Sequence, residues 1–267
     1  ASIMLIDTAK TNRGEISEGW IEIEASKAAF TRARDFNQVR CFYTACFKPC
    51  AVKVYENNKL VKGFTTNPSL MKKAGVTDYG SFIKEVTSKI KNLSISFEVF
   101  ADDEKEMIYQ SNKIASFGEN IHVKIPITNT KGQYTLKVIE SLVNDNVKVN
   151  VTAVFTQTQI NMLKTVLPNN KDNIVSIFAG RISDTGRNPI PYITYSQIAL
   201  KNQCEILWAS TRHVYNIYEA NQANCDIITV TPDQIKKLSL KDKDLTEYSL
   251  ETVKMFYDDA TSSGLVL

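Results

Sequence analysis

A lysine inside an apolar, β-forming run has few structural excuses, and Lys124 in IHVKIP (121–126) sits between Val123, Ile125 and Pro126. A buried ammonium needs a partner, and an amine held in such a place can attack a carbonyl and form a Schiff base. The run SISFEVF (94–100) offers the partner. Period-two alternation puts Ile95, Phe97 and Val99 on one face and Ser96, Glu98 and Phe100 on the other. Glu98, with Asp7, Thr152 and a water, would then shuttle the protons that carbinolamine dehydration and C–C cleavage require. The same spacing is equally compatible with a buried Lys124–Glu98 ion pair that does no chemistry. Lys53, in AVKVY (51–55), reads instead as a solvated edge residue.

Other polar residues fall at comparable places in similar runs. Asp7 ends IMLID (3–7), Thr65 and Asn67 end KGFTTN, Asn150 and Thr152 share a face of VNVTAV (149–154), and Ser176 and Phe178 share one of NIVSIFA (173–179). Ser210 follows CEILWA (204–209), and two arginines follow strand ends, Arg181 in FAGRISDTGR and Arg212 in ASTR. A loop after the seventh strand of an eight-stranded α/β barrel recurrently binds phosphate, for which Ser210, Arg212 and neighbouring N–H groups are suited; a surface salt bridge is the competing role for either arginine. His122 and His213 read as structural or supporting residues, and Phe64, Phe97, Phe100 and Trp208 as core packing.

These residues need a frame. Eight β-branched runs recur: IMLID (3–7), KGFTT (62–66), SISFEVF (94–100), IHVKIP (121–126), VNVTAV (149–154), NIVSIFA (173–179), CEILWA (204–209) and DIITV (226–230). From the second onward their starts lie 22 to 32 residues apart, room for a strand, a helix and two short loops. Helical patterns fill the gaps at 79–93, 104–117, 135–144 and 157–167, and an amphipathic stretch at 245–260 closes the chain. The alternation predicts an α/β fold, a single (β/α)8 barrel over residues 1–267, with an open doubly wound sheet as the alternative. Residues 8–61 form an enlarged N-terminal segment in this reading, an atypical insertion between the first and second strands. AVKVY is the rival for the first strand, but it stands too close to KGFTT to leave room for a crossover helix.

Composition narrows the classes. The 267 residues are 43% hydrophobic and 23% charged with a net charge of +3, which fits a globular chain, and the dispersed basic residues give no nucleic-acid footprint. With no long apolar run and no basic-then-apolar leader pattern, neither membrane insertion nor secretion is expected, and the cytoplasm is the default. Cys41, Cys46 and Cys50 lack the second ligand half that structural zinc needs, and with Cys204 and Cys225 they read as reduced thiols. Two isolated histidines and the absence of H-E-x-x-H, P-loop and G-x-G-x-x-G patterns remove metalloprotease and nucleotide-binding readings. No metal and no organic cofactor is expected.

Several segments, in their order and spacing, resemble the transaldolase family: GFTTNPSLM (63–71), SFEVFADD (96–103), VKIPIT (123–128), NVTAVFT (150–156), SIFAGRISDTG (176–186) and WASTR (208–212). The similarity runs from about Lys62 to Tyr257 and is greatest to the short transaldolase-like branch related to fructose-6-phosphate aldolase. The resemblance implies a class I aldolase barrel with Lys124 as Schiff-base lysine and Glu98 as acid/base. It further implies that Asn67 and Thr152 orient substrate and water, Ser176 contacts the donor, and Arg181, Ser210 and Arg212 hold a phosphate. LIDTA (5–9) matches the family's first-strand aspartate motif, which carries the role of Asp7. The aldolase branch typically has glutamine and tyrosine where this chain has Glu98 and Phe178, so those two residues lean toward transfer of a dihydroxyacetone unit between sugar phosphates. Release of free dihydroxyacetone, or a phosphosugar-binding barrel without catalysis, are the alternatives. Small sugar phosphates are the expected partners, and a homo-oligomer is compatible with the chain.

Overall fold

The computed structural model describes residues 40–44, 62–264 and 266. Among them, parallel strands close a barrel in chain order, each hydrogen-bonded to the next and the last to the first. They are β1 (Arg40–Thr44), β2 (Gly63–Thr65), β3 (Ser94–Glu98), β4 (Ile121–Pro126), β5 (Val149–Val154), β6 (Asn173–Ile177), β7 (Cys204–Trp208) and β8 (Ile227–Val230). The α/β alternation read from the sequence is thus a (β/α)8 barrel.

The helices are α1 (Pro68–Lys73), α2 (Tyr79–Lys89), α3 (Glu104–Ala115), α4 (Leu136–Asn144), α5 (Gln157–Leu163), α6 (Ala179–Asp184), α7 (Ile190–Ala199), α8 (Tyr215–Gln222), α9 (Pro232–Lys237) and α10 (Leu245–Ser262). Several of their starts follow from capping chemistry. Asn67, Asp78 and Asp103 each accept a backbone N–H at the N-terminus of α1, α2 and α3. Thr156 with Gln159, and Thr231 with Gln234, form reciprocal capping boxes at α5 and α9. Asn67, Asp103, Thr156 and Thr231 lie in the loops that follow the C-terminal ends of β2, β3, β5 and β8, so the same loops that start these helices rim the barrel mouth. α10 differs from the rest: none of its residues is buried, and Leu245, Val253, Phe256 and Tyr257 are exposed.

Strand alternation builds two cores. Outward residues such as Ile95, Phe97, Val123, Ile125, Val149, Val151, Val175, Ile177, Ile206 and Trp208 pack against helices in one large cluster. Ile174, Leu207, Ala209 and Ile227, with Phe178 against them, form a second and smaller cluster inside the barrel. From β3 to β6 the inward positions outside that cluster are polar except for Pro126.

The first strand corrects the sequence reading. IMLID, with Asp7, lies outside the described residues, and the place between β2 and β8 belongs to Arg40–Thr44, where Phe42 pairs with both Gly63 and Thr229. Residues 8–61 are therefore not an insertion between the first two strands, since β1 itself falls within them. The physical reason is spacing: from Arg40 to Gly63 is 23 residues, within the interval of the other strands, and the run RCFYT is rich in β-formers although it lacks the aliphatic character of the others. AVKVY, Lys53, Cys46 and Cys50 also lie outside the described residues.

Candidate active site

Register sets the centre of the site. Glu98 pairs with Lys124 and Lys124 with Asn150, so β3, β4 and β5 present these residues side by side on the inward face. The Lys124 Nζ lies 3.1 Å from Glu98 Oε2 and donates to the Thr66 carbonyl oxygen at 3.0 Å. Lys124 is 8% exposed, so its amine is enclosed by the barrel.

A hydrogen-bonded chain runs across the interior beside it. Ser176 Oγ donates to Asn150 Oδ1 at 2.7 Å, and Asn150 Nδ2 donates to Ser96 Oγ at 3.0 Å. All three are buried, and the chain spans β3, β5 and β6, which orients Asn150 over the inside of β4. Thr152, also buried, pairs with Pro126 one step nearer the mouth. Just beyond it the register with β6 shifts and Ala153 takes a left-handed φ of 58°. Such a bulge re-aims the side chains around it, and for a residue with a Cβ it stores strain.

Thr65 is buried on β2, and Asn67 uses its Oδ1 to cap α1 through Leu70 N–H at 2.9 Å. Around the rim on the opposite side, α6 and the loop after β7 touch. A Cβ on Gly180 would fall 1.6 Å from the Ser210 carbonyl oxygen, so only glycine permits this approach, and Ser210 itself adopts φ of 65°. The contact brings Arg181, whose guanidinium lies 5.6 Å from the Phe178 ring centroid, onto the same rim as Ser210 and Arg212. The Arg212 Nε donates to both carboxylate oxygens of Asp184 at 2.9 and 3.0 Å, and its Nη2 also meets that carboxylate. The Arg212 bond holds the Asp184 carboxyl below its ordinary pKa, and the carboxylate raises the guanidinium in turn. Asp184 is thus the partner that sequence reasoning missed, although it stands in the same SIFAGRISDTG segment. Ser96 was legible only as a face-mate of Glu98.

His122 occupies the inward face of β4 at the end remote from the mouth. Its Nδ1 lies 2.9 Å from Ser94 Oγ and its Nε2 3.0 Å from the Asp172 carbonyl oxygen. Burial pushes its pKa down to about 4, so it is a neutral, bonded residue of the barrel floor. His213 is exposed on the loop before α8. Among the described residues no group of three or more His, Cys, Asp or Glu could hold a metal ion. No helix among them is long and apolar enough to cross a membrane.

Fold and site together define an eight-stranded α/β barrel carrying a buried amine and carboxylate at its mouth. The family model described as Transaldolase/Fructose-6-phosphate aldolase matches residues 47–265, and the chain belongs to that family. Among similar proteins, one named "Probable transaldolase" from Methanococcus maripaludis (strain C5 / ATCC BAA-1333) is 33% identical over 70% of this chain and 84% of its own length. Proteins of the same name from Nitrosopumilus maritimus (strain SCM1) and Brucella anthropi are 31% and 34% identical, over 70% and 72% of this chain and 82% and 85% of their own.

Proposed function

We propose that this protein transfers a three-carbon dihydroxyacetone unit between sugar phosphates through a Schiff base on Lys124. The observation that carries the reading is the enclosed amine of Lys124, its Nζ 3.1 Å from the Glu98 carboxylate. The amine attacks the C2 carbonyl of a ketose phosphate, and the carbinolamine loses water to give an imine. The C3–C4 bond then breaks as the C4 hydroxyl gives up its proton, an aldose phosphate leaves, and the three-carbon enamine stays on Lys124 until an acceptor aldehyde adds to it. Glu98, adjacent to Nζ, exchanges the protons of imine formation, with Thr152 holding the water. Ser176 and Asn150, already bonded to each other, orient the donor's hydroxyls, with Thr65 and Asn67 at the rim. Arg181, Ser210 and Arg212 hold the phosphate, Asp184 yielding part of the Arg212 guanidinium to it. Asp7 belongs to the same reading as a further proton carrier.

Borohydride reduction in the presence of fructose 6-phosphate tests the chemistry, because only an imine is trapped. The expected product is a covalent adduct on Lys124 by mass spectrometry, absent in Lys124→Met; an adduct elsewhere, or none, rejects the reading. Transfer is distinguished from cleavage by acceptor dependence. Product should form slowly without an aldose phosphate, and Glu98→Gln combined with Phe178→Tyr should raise the share released as free dihydroxyacetone. Rapid turnover of the unmodified protein without acceptor would assign it to the aldolase reaction.

A further inference from the structure

Glu98 stands at a point where the sheet runs out. β2 pairs with β3 only as far as Thr65 opposite Ser96, and Thr66 N–H donates to the Ser96 carbonyl before the chain turns into the cap of α1. Main-chain groups alternate sides along a strand. Val99 N–H donates toward β4, to Lys124 O, so the N–H and C=O of Glu98 face the side that β2 has left. Unpaired, both would carry the penalty of orphaned backbone groups in a mostly buried place.

One side chain satisfies both. Tyr79, the first residue of α2, accepts from Glu98 N–H and donates to Glu98 C=O through its hydroxyl, each at 3.0 Å. Its ring is fixed by aromatic neighbours: Phe97 edge-on at 6.3 Å, Phe82 stacked at 6.4 Å and Phe100 tilted at 4.6 Å. Burial raises the phenol above its ordinary pKa, so the hydroxyl keeps its proton. We infer that Tyr79 is a positioning residue for the reaction, its hydroxyl replacing the missing end of β2 and fixing the height of Glu98 so that the carboxylate stays against Lys124 Nζ. This rests on the Schiff-base reading of Lys124. A main chain free to shift at Glu98 would move the carboxylate relative to the amine, and displacements of about 1 Å cost on the order of a hundredfold in rate.

The test uses the full chain with Tyr79→Phe, which keeps the ring and deletes the hydroxyl. Expected is a fall in kcat of about ten- to a hundredfold, KM for fructose 6-phosphate within about twofold, and a borohydride adduct still forming on Lys124. In a Glu98→Gln background the same substitution should change kcat by less than about twofold, because partners in one device are non-additive. Asn120→Ala provides the stability control. Asn120 Nδ2 also holds two main-chain carbonyls, those of Ile90 and Leu93, but below the start of β3; its loss should lower the melting temperature and leave kcat unchanged. Equal losses from Tyr79→Phe in both backgrounds, an unaltered kcat, or an Asn120→Ala effect as large as that of Tyr79→Phe would each overturn the positioning role while the adduct on Lys124 stands. Absence of the adduct from the unmodified protein would remove the Schiff-base reading and this inference with it.

Discussion

The inside of the barrel has two unlike sectors. From β2 to the mouth side of β6 it is lined by Thr65, Ser96, Glu98, Lys124, Asn150, Thr152 and Ser176; from the lower part of β6 to β8 it is lined by Ile174, Leu207, Ala209 and Ile227. The apolar sector needs only to be filled, and each side chain in it contributes transfer free energy and close packing. The polar sector must also find partners for its donors and acceptors, and Asn150 does so both on the neighbouring β6, through Ser176, and across β4 on β3, through Ser96. Burying the Lys124–Glu98 pair is poor use of space for stability, since the desolvation of both charges offsets their attraction. The difference teaches that one sector is built to hold the fold, while the other gives up stability to keep polar groups inside, as the proposed chemistry requires.

The sharpest test of that division replaces the pair. Lys124→Met with Glu98→Gln should abolish turnover, a loss of about four orders of magnitude or more, while the melting temperature stays level or rises; a large loss of stability would mean the pair is structural. Ile227→Ala, in the apolar sector, should do the converse. Unfolding in denaturant should show about 2–5 kcal/mol lost, with kcat/KM close to that of the parent, and a collapse in kcat would blur the two sectors into one. Arg212→Ala reaches the rim. It should weaken phosphorylated substrates about ten- to a hundredfold, or ~1.5–3 kcal/mol, and leave unphosphorylated ketoses little changed; equal loss of both would make the Arg212–Asp184 pair a structural latch.

The smallest effect is expected at the floor. His122 titrates near 6.5 when unfolded and near 4 in the fold, so between those values the unfolded chain binds more protons and stability falls as pH drops. Thermal melts should lose about 1–2 kcal/mol across that window. His122→Gln should flatten the dependence; an unchanged slope would show that other groups set it.

Much of this was written in local pattern. Period-two alternation in SISFEVF, IHVKIP and VNVTAV put Glu98, Lys124 and Asn150 opposite their apolar neighbours, and the recurring interval between runs led to a barrel. The first strand departs from the pattern for a local reason too: RCFYT is less aliphatic than IMLID, and spacing rather than hydrophobicity marks Arg40–Thr44 as the strand. Nothing local pointed to Tyr79, because its hydroxyl matters only where a three-residue β2 stops short of a five-residue β3.

The sequence by itself determined which residues face inward, because side-chain direction along a strand follows from backbone geometry that each strand carries within itself. It also determined where most strands and helices begin, since caps and turns act over three or four residues. Tertiary structure alone decided which inward groups meet: that Asn150 reaches Ser96 across β4, that Asp184 takes Arg212, and that Glu98 borrows a hydroxyl from α2. Those pairings depend on barrel register and closure, where residues 19 to 54 positions apart come within hydrogen-bond distance, and no short-range rule of the chain encodes a distance of that kind.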